Sequence, residues 1–363
     1  MPHSTLRALS VRLGGETRDN DWYRTHQPAE VAAATERGLA RAFQSAGGTA
    51  ASQGFDAAMA AYVADPFRGS RLRHVLAPGE TCIGLELAAA QDALAAAGLG
   101  PQDVDLILVA SWLPERFVAP GNAVFLAREL GVEIPAWNVE TACSSSLALL
   151  QIADGLLASG AYRRMLIVAS STNSRQTDDT LGWISSDAAA AAIIEAPTGP
   201  DGLLGVHMRN TAATCGVFEH ALEALHGRGV VRMRVGAEGA RALRETSGPG
   251  LVRACCEAAA KSANIKLNDI QYFGFSTPLA WFAAMCADAL AVDPARCLDL
   301  FPRLANVGAP FPLVNLYHAL AEGQARAGDL VMFYTVGSVS SAGAAVMRLG
   351  EVALGPAPRT VLG

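Results

Sequence analysis

The stretch from Ala136 to Ser170, AWNVETACSSSLALLQIADGLLASGAYRRMLIVAS, decides the fold. Its first five residues predict a short strand, and the apolar run Ser144–Ser159 predicts a helix that ends at a glycine. Met165–Ser170 predicts a second strand, of the apolar kind that is buried on both faces of a sheet. Cys143 lies at the junction between the first strand and the helix. Strand, cysteine, helix and strand therefore form one structural unit, and its order recurs later in the chain.

The second half of the chain repeats this order of elements. Strand Asp105–Ala110 precedes the unit around Cys143, and strand Ile270–Ser276 precedes a similar unit in which Asn306 takes the place of the cysteine. That second unit contains a helix at Leu279–Leu290, a short strand at Cys297–Leu300, a helix at Pro310–Ala321 and a strand at Leu330–Thr335. Such self-similarity indicates an internal duplication, with Cys143 and Asn306 at equivalent junctions. Alternating strands and helices also predict parallel sheets that are covered by helices on both faces.

Other segments extend the predicted α/β architecture. Glu16–Phe67 is rich in alanine and predicts helix, and Glu80–Ala97 predicts an amphipathic helix capped by Thr81. Ala188–Glu195 and Ala344–Leu349 predict strands, and residues 336–343 predict a turn. The pattern therefore divides the chain into two α/β halves near residue 200.

Composition excludes several classes of protein. Hydrophobic residues make up 51% of the 363 residues and charged residues only 17%, which supplies a large core and excludes a disordered chain. The net charge of −6 does not favour a nucleic-acid partner. We find neither a signal peptide nor an apolar run near the roughly 20 residues that a membrane span needs. A cytoplasmic location is expected, and the seven cysteines, which form no CxxC pair, predict free thiols and no metal site.

Cys143 is the strongest candidate for chemistry. The start of a helix presents free N–H groups and a positive partial charge, which lower the pKa of a thiol and make its thiolate available as a nucleophile. The backbone N–H of the nucleophile can also stabilise an oxyanion. The alternative is a buried structural cysteine in a turn of small residues. The junction and the duplicated frame favour the nucleophile.

The chain resembles the thiolase-fold condensing enzymes and is most similar to β-ketoacyl-ACP synthase III. Four motifs carry the resemblance in the order and spacing of that family: FRGSRLRHVLAPGET (67–81), NVETACSSSLALLQIADGLLASGAYRRMLIVAS (138–170), SSDAAAAAIIE (185–195) and ANVGAPFPLVNL (305–316). The match runs from about Phe67 to Leu349 and implies a five-layered αβαβα fold. Residues 1–200 are then the half that carries the nucleophilic cysteine, and residues 201–363 the half that carries the asparagine and an oxyanion loop.

The resemblance also implies a mechanism and partners. Cys143 takes an acyl group from CoA or acyl carrier protein, without a permanently bound cofactor, in a homodimer or in a heterodimer with a homologue. The family completes its site with an asparagine and a histidine. Asn306 matches the asparagine, but the histidine position falls at Ser276, or at Thr277 if the strand slips by one residue. No histidine lies between residues 227 and 317. A hydroxyl can donate one hydrogen bond but cannot become cationic, which puts carbon–carbon condensation in doubt.

Further site residues follow from the same resemblance. The family places its second oxyanion N–H in the loop of Gly337 and Ser338, which together with the N–H of Cys143 completes the oxyanion hole. Arg68 and Arg71 lie where the family often contacts CoA phosphates, although a solvated basic turn explains them as well. Trp112 is a candidate for an acyl or acceptor pocket, with core packing as the alternative.

These features predict a ketosynthase III-like acyltransferase. It loads an acyl group onto Cys143 and transfers it to an acceptor in specialised metabolism, such as polyketide or related assembly. One alternative is a decarboxylative condensing enzyme that uses Ser276 or Thr277 in place of histidine. Another is a weakly active structural partner of a heterodimeric synthase. The sequence leaves open the acyl chain, the acceptor, the bond that is formed, and whether the dimer partner is identical.

Overall fold

The structure is a computed structural model that describes residues 2–44, 61–62, 65–114, 119–173, 182–211, 214–225, 228–235, 248–337 and 341–358. Its strands are β1 (Thr5–Leu13), β2 (Glu16–Asp19), β3 (Leu72–Val75), β4 (Leu106–Trp112), β5 (Ala136–Asn138), β6 (Arg164–Ser171), β7 (Ala188–Glu195), β8 (Gly202–Asn210), β9 (Phe218–Leu225), β10 (Arg228–Val235), β11 (Tyr272–Phe275), β12 (Leu330–Gly337), β13 (Ser341–Arg348) and β14 (Ala353–Leu354). Its helices are α1 (Asn20–His26), α2 (Pro28–Gln44), α3 (Cys82–Ala96), α4 (Asn122–Leu130), α5 (Ser145–Ala158), α6 (Pro249–Ser262), α7 (Phe282–Leu290), α8 (Phe301–Leu304) and α9 (Phe311–Ala321).

Two sheets with related topology organise the chain. The first has the strand order β14-β1-β7-β6-β4-β5, and the second has the order β11-β12-β13-β8. In the first, β6 pairs in parallel with β4 and antiparallel with β7. In the second, β12 pairs in parallel with β11 and antiparallel with β13. Each sheet therefore contains three strands with the same order and directions, β4-β6-β7 in the first and β11-β12-β13 in the second, as expected for a duplication.

The prediction of parallel sheets is wrong in part, because both sheets are mixed. Only residues 338–340 separate β12 from β13, and a parallel connection needs a crossover of a dozen residues or more. β7 is likewise antiparallel to both of its long neighbours, β1 and β6. β4 nevertheless pairs in parallel with both β5 and β6, and β5 is the strand that precedes Cys143.

Five layers follow from the side on which each strand residue packs. Leu106 and Leu108 of β4 point into a central core that also contains residues of α5, α9 and β12. Ile107 and Val109 point the other way and pack against α3 and α4. Helices α6 and α7 cover the outer face of the second sheet. The order is thus helices, sheet, helices, sheet, helices, and the residues of α5 are mostly apolar because it lies in the middle layer.

Three predictions at the level of single elements need correction. Glu16–Asp19 is a strand rather than helix, because it pairs antiparallel with Leu72–Val75, a partner that no local pattern reveals. The strand predicted at Cys297–Leu300 is reduced to one bridge between Phe273 and Cys297. The predicted turn at 336–343 is shorter, since β12 runs to Gly337 and β13 begins at Ser341. No helix among the described residues is long and apolar enough to cross a membrane.

Candidate active site

Cys143 lies at the start of the central helix α5. A single 3-10 turn, Ala142–Ser144, leads directly into the helix, and Ala142 has a left-handed φ of 53°. The Cys143 side chain is partly exposed, whereas Ser144, Ser145 and Ser146 are buried. The structure therefore presents the thiol at a helix N-terminus on the accessible side of a tight turn.

Hydrogen bonds within the turn fix its shape. The carboxylate of Glu140 accepts from the N–H of Ala142 at 2.5 Å. The hydroxyl of Ser145 accepts from the N–H of Thr141 at 2.9 Å and donates to the carbonyl of Ala142 at 2.7 Å. A non-glycine residue at positive φ costs free energy, and these bonds hold Ala142 in that conformation. The position of Cys143 is thereby set before any ligand binds.

The end of strand β12 approaches this turn from the second half of the chain. Thr335 donates a hydrogen bond from its hydroxyl to the carbonyl of Cys143 at 3.0 Å. A Cβ atom on Gly337 would lie 2.8 Å from the carbonyl oxygen of Thr141 and 3.1 Å from Oγ of Ser144, so the close approach requires glycine. Gly337 is thus next to the cysteine turn, while Ser338 lies outside the described residues.

Asn306 occupies a junction of similar geometry in the second half. Ala305, which precedes it, also has a positive φ, of 51°. The side-chain Oδ1 of Asn306 accepts from the N–H of Gly308 at 2.8 Å, which leaves Nδ2 as the donor available to a ligand. Its backbone N–H donates to the carbonyl of Ile184, and its carbonyl accepts from the N–H of Ser186.

A direct contact joins the two junctions. Ser146, in the first turn of α5, donates from its hydroxyl to the carbonyl of Ala309 at 2.6 Å. Ala309 follows Asn306 by three residues, just before α9 begins. The first turn of the cysteine helix and the asparagine loop are therefore held against each other in the central layer.

The register of β11 distinguishes Ser276 from Thr277. The hydroxyl of Tyr272 donates to Oδ1 of Asn315 on α9, and a Cβ on Gly274 would lie 2.8 Å from the same oxygen. The N–H of Ser276 donates to the carbonyl of Tyr334, so the parallel pairing continues through Ser276. Because strand side chains alternate, Ser276 shares the central face with Tyr272 and Gly274, and Thr277 takes the opposite face. Ser276 is therefore on the face of β11 that meets α9, the helix that follows Asn306.

The remaining predicted site residues lie in other surroundings. Arg68 has a positive φ of 52° and donates to the carbonyl of Tyr62 at 3.3 Å. Arg71 is exposed and lines a cavity of about 320 Å³ that also contains the carboxylates of Asp65 and Asp299. Trp112, half-buried, ends β4, and its carbonyl accepts from the N–H of Thr172. Two acidic groups beside Arg71 make a site for polyanionic phosphate less favourable there.

Sequence reasoning missed a buried carboxyl group in the first half. Glu86 on α3 is fully buried and accepts from Oγ of Ser111 and of Ser170, each at 2.5 Å, and from Nδ2 of Asn122 at 2.9 Å. Burial raises the pKa of Glu86, although these neutral donors oppose the rise. The signal in the sequence is an acid that stands between two leucines, Leu85 and Leu87, within α3. Its network ties α3 to the ends of β4 and β6.

Two histidines, the fully buried His74 and the partly buried His318, belong to the scaffold next to the Asn306 junction. His74 on β3 is fully buried, and neither ring nitrogen has a hydrogen-bond partner. Burial lowers the pKa of His74 to about 4, and repulsion from His318 on α9 adds to the shift. The hydroxyl of Ser186 accepts from the N–H of His74, and Ser186 also donates from its N–H to Asn306. Within the described ranges, no cluster of three or more His, Cys, Asp or Glu residues could hold a metal ion.

Comparison with known proteins agrees with this geometry. The family model for 3-oxoacyl-[acyl-carrier-protein] synthase III matches residues 137–212, and the model for the C-terminal part of the same family matches residues 260–349. These segments contain Cys143, Asn306 and Gly337. The β-ketoacyl-ACP synthase III proteins of Brucella suis and Brucella abortus are each 28% identical to the chain over 291 residues, which cover 77% of this chain and 88% of each relative.

Solved structures show the same fold. The 3-oxoacyl-ACP synthase III of Aquifex aeolicus superposes with a TM-score of 0.76 at 19% identity, covering 95% of this chain and 99% of the other. The priming β-ketosynthase of the R1128 polyketide pathway gives 0.76 at 20% identity and 96% coverage of both chains. OleA of Xanthomonas campestris gives 0.74 at 15% identity, with coverage of 95% and 98%. The five-layered arrangement is therefore shared along nearly the whole chain.

Proposed function

Because the chain belongs to the thiolase-fold family of 3-oxoacyl-ACP synthase III-like condensing enzymes, we propose that it is an acyltransferase with Cys143 as its nucleophile. The donor is an acyl group carried as a thioester on CoA or acyl carrier protein. The observation that carries the proposal is the partly exposed thiol at the start of α5, with Gly337 of the other half packed against its turn. This arrangement places a nucleophile and backbone donors at one point.

Loading of the enzyme is the first step. The Cys143 thiolate attacks the thioester carbonyl, and the backbone N–H groups of Cys143 and Gly337 stabilise the oxyanion that forms. The intermediate collapses by breaking the bond to the carrier sulfur, so that the acyl group remains on Cys143. The departing thiolate takes up the proton that left the Cys143 thiol, and no cofactor is consumed.

Transfer to the acceptor is the second step. The Nδ2 group of Asn306 is the donor that orients a carbonyl of the substrate, because its Oδ1 is held by Gly308. Ser276 provides a hydroxyl in place of a base. We therefore propose an acceptor that brings its own reactive nucleophile, an activated amine, thiol or carbanion, in polyketide or related specialised metabolism.

Intact mass spectrometry after incubation with acyl-CoAs of graded length tests the loading step. The expected product is protein that carries one acyl group. Cys143→Ala is expected to abolish this adduct, and Cys215→Ala is the matched control, because Cys215 is an exposed free thiol that does not begin a helix. An adduct that survives Cys143→Ala, or one that disappears in Cys215→Ala, contradicts the proposal.

Decarboxylative carbon–carbon condensation is the second candidate. It is favoured by the register that puts Ser276 on the central face, where its hydroxyl can donate to an enolate oxygen. With a malonyl donor, Ser276→Ala is expected to lower product formation, and Ser276→His to raise it. Thr277→Val is the matched control, since it removes a buried hydroxyl on the opposite face. Equal losses in the alanine and valine variants contradict a role for Ser276.

We also propose that the chain forms a homodimer through strand β5. This strand is an edge of the first sheet, and Trp137 on it and Val124 on α4 are large apolar residues with 43% and 45% exposure. Exposed strand edges pair readily with a second chain. Light scattering during gel filtration is expected to give a dimer for the wild type and a monomer for Trp137→Arg. A monomeric wild-type protein contradicts the homodimer.

A further inference from the structure

A polar cavity lies where residues 61–62 and 65–71 meet the second half of the chain. Its volume is about 320 Å³, and its polar side chains are Asn20, Asp65, Ser70, Arg71 and Asp299. A volume of this size holds a molecule of up to about 10 non-hydrogen atoms together with bound water. The cavity is separate from the cysteine turn, since none of its lining residues belongs to the segments around Cys143 or Gly337.

The walls of the cavity are held in place by packing. A Cβ on Gly69 would lie 2.5 Å from the Cβ of Ala280, so this part of the chain lies directly on the second half. The ring of Tyr62 stacks on Trp281 with centroids 5.6 Å apart. Asn20 accepts a hydrogen bond from the buried guanidinium of Arg73. The cavity is therefore a preformed site between fixed elements.

One buried polar group on the wall lacks a partner. Ser70 is only 1% exposed, and its hydroxyl oxygen makes no hydrogen bond. An unsatisfied buried hydroxyl costs on the order of 1–3 kcal/mol. Such groups in folded proteins are normally paired with protein, water or a ligand. The Ser70 oxygen has almost no accessible surface, so it lies within the wall of the cavity and is not a contact for an occupant.

The charges on the wall are of both signs. Arg71 is exposed and has no ion-pair partner among the described residues. Asp299 uses one oxygen to accept from the N–H of Phe301 at 3.0 Å, which leaves the other oxygen for a ligand. Asp65 is fixed by the N–H groups of Phe67 and Gly69, at 2.9 Å and 2.7 Å, and each of its oxygens keeps a second lone pair. One cation thus stands opposite two anions within a single small cavity.

We propose that this cavity binds a small zwitterion, a molecule with one ammonium and one carboxylate group, as in an amino acid. Arg71 pairs with the carboxylate, since a guanidinium matches the two oxygens of that group. Asp299 and Asp65 pair with the ammonium group. A polyphosphate carries only negative charge and would meet both aspartates, so a CoA phosphate fits the cavity poorly.

A chain of contacts connects the cavity with the asparagine junction. Asn20 accepts from Arg73, and the same guanidinium donates to the carbonyl of Trp183. The next residue, Ile184, accepts from the N–H of Asn306. An occupied cavity can therefore act on the Asn306 loop, although binding itself does not depend on an acylated Cys143.

Isothermal titration with glycine, β-alanine and L-serine tests the proposal, with acetate, methylammonium, inorganic phosphate and CoA as comparison ligands. Saturable binding of at least one zwitterion is expected, at an affinity at least tenfold higher than that of acetate or methylammonium. Cys143→Ala is expected to bind equally well, so a failure of the acyltransfer proposal remains distinguishable from a failure of this one.

Variants locate the site. Arg71→Gln and Asp299→Asn are each expected to weaken zwitterion binding at least tenfold, and Arg326→Gln, a change at an exposed arginine elsewhere, is expected to leave it unchanged. Ser70→Ala is a second control: it removes the unpaired hydroxyl within the wall, so thermal stability is expected to stay the same or rise while zwitterion binding is unchanged. The proposal is overturned if no zwitterion binds at about 10 mM, the highest practical ligand concentration. It is also overturned if phosphate or CoA binds and Arg71→Gln removes that binding.

Discussion

The junctions at Cys143 and at Asn306 share a frame and differ in their chemistry. Each residue follows an alanine with positive φ, 53° at Ala142 and 51° at Ala305, and each precedes a helix of the central layer. The cysteine turn receives Thr335 and Gly337 from the opposite half, whereas the asparagine loop is bonded through its backbone to residues 184 and 186. The two junctions thus share a strained alanine, and one carries a thiol where the other carries an amide.

The outer faces of the two sheets differ more. Ser111 at the end of β4 corresponds by register to Thr277 at the end of β11, since Leu106 and Tyr272 pair equivalently with the neighbouring strands. The hydroxyl of Ser111 donates to Glu86, but that of Thr277 is buried without a partner. The first half therefore carries a polar network at a position where, among the described residues, the corresponding hydroxyl of the second half has no hydrogen-bond partner.

The largest expected effect separates the two junctions by reaction step. Asn306→Asp keeps the oxygen that accepts from Gly308 but replaces the donor Nδ2. Loss of one oxyanion donor commonly lowers a rate by about 10²–10³. We expect the loading of Cys143 to remain near the wild-type rate, while transfer to the acceptor falls by that factor, measured by single-turnover mass spectrometry.

The control for Asn306→Asp is Asn138→Asp. Asn138 also uses Oδ1 to accept a backbone N–H, that of Ala123 at 3.1 Å, but it lies on the edge strand β5. This variant is expected to leave both steps unchanged. If Asn306→Asp slows loading as much as transfer, the assignment of loading to the Cys143 junction and of transfer to the Asn306 junction is wrong.

The second effect concerns the contact between the halves. Gly337→Ala places a Cβ 2.8 Å from the carbonyl of Thr141, and overpacking of this kind costs about 1–3 kcal/mol. We expect a lower free energy of unfolding and slower loading of Cys143. Gly155→Ala in α5 is the matched control, because its Cβ would meet nothing within 4 Å. Loading that stays normal in Gly337→Ala would show that the end of β12 does not support the cysteine turn.

Local patterns predicted the central helices well and long-range features poorly. The apolar runs 144–159 and 310–321 predicted the ends of α5 and α9 to within one residue. A buried helix can be predicted in this way because its apolar residues are contiguous in the sequence. Strand β2 was missed because its partner β3 lies far along the chain. The choice between Ser276 and Thr277 needed the structure, since a slip of one residue reverses the face of a strand. The mixed charges around Arg71 also depend on segments distant in sequence.

The third effect sharpens the contrast between the outer faces. Burial raises the pKa of Glu86, so its protonated form is favoured in the fold. The stability that this form contributes is present at low pH and is lost as the pH rises through the raised pKa. Glu86→Gln stays neutral, and we expect its free energy of unfolding to increase relative to the wild type from pH 5.5 to pH 8.5. Each unit of the Glu86 pKa shift that falls within this pH range changes the difference in unfolding free energy by about 1.4 kcal/mol.

Urea denaturation at several pH values measures this difference. Glu133→Gln, a change at an exposed carboxylate, is the control and is expected to follow the wild type at every pH. If the difference in unfolding free energy between Glu86→Gln and the wild type stays the same at every pH, Glu86 keeps one protonation state over this range. The buried network would then have no part in the pH dependence of stability.

The smallest effect tests the strain that the two junctions share. Ala305 has φ 51° and ψ −154°, a region that glycine occupies far more easily than alanine, and such positions cost on the order of 1–3 kcal/mol. Glycine relieves that strain but gives the unfolded chain about 0.5–1 kcal/mol more entropy. We expect Ala305→Gly to raise the free energy of unfolding by about 0.5–1 kcal/mol, the balance of these opposing terms. Ala148→Gly within α5 is the opposite control, because glycine in a helix interior lowers stability by about 1 kcal/mol.

The rates of the two steps show whether this strain has a role in the reaction. If Ala305→Gly slows transfer without slowing loading, strain at this alanine positions Asn306. If the variant is more stable and its transfer rate is unchanged, the strain is a remnant of the duplicated frame.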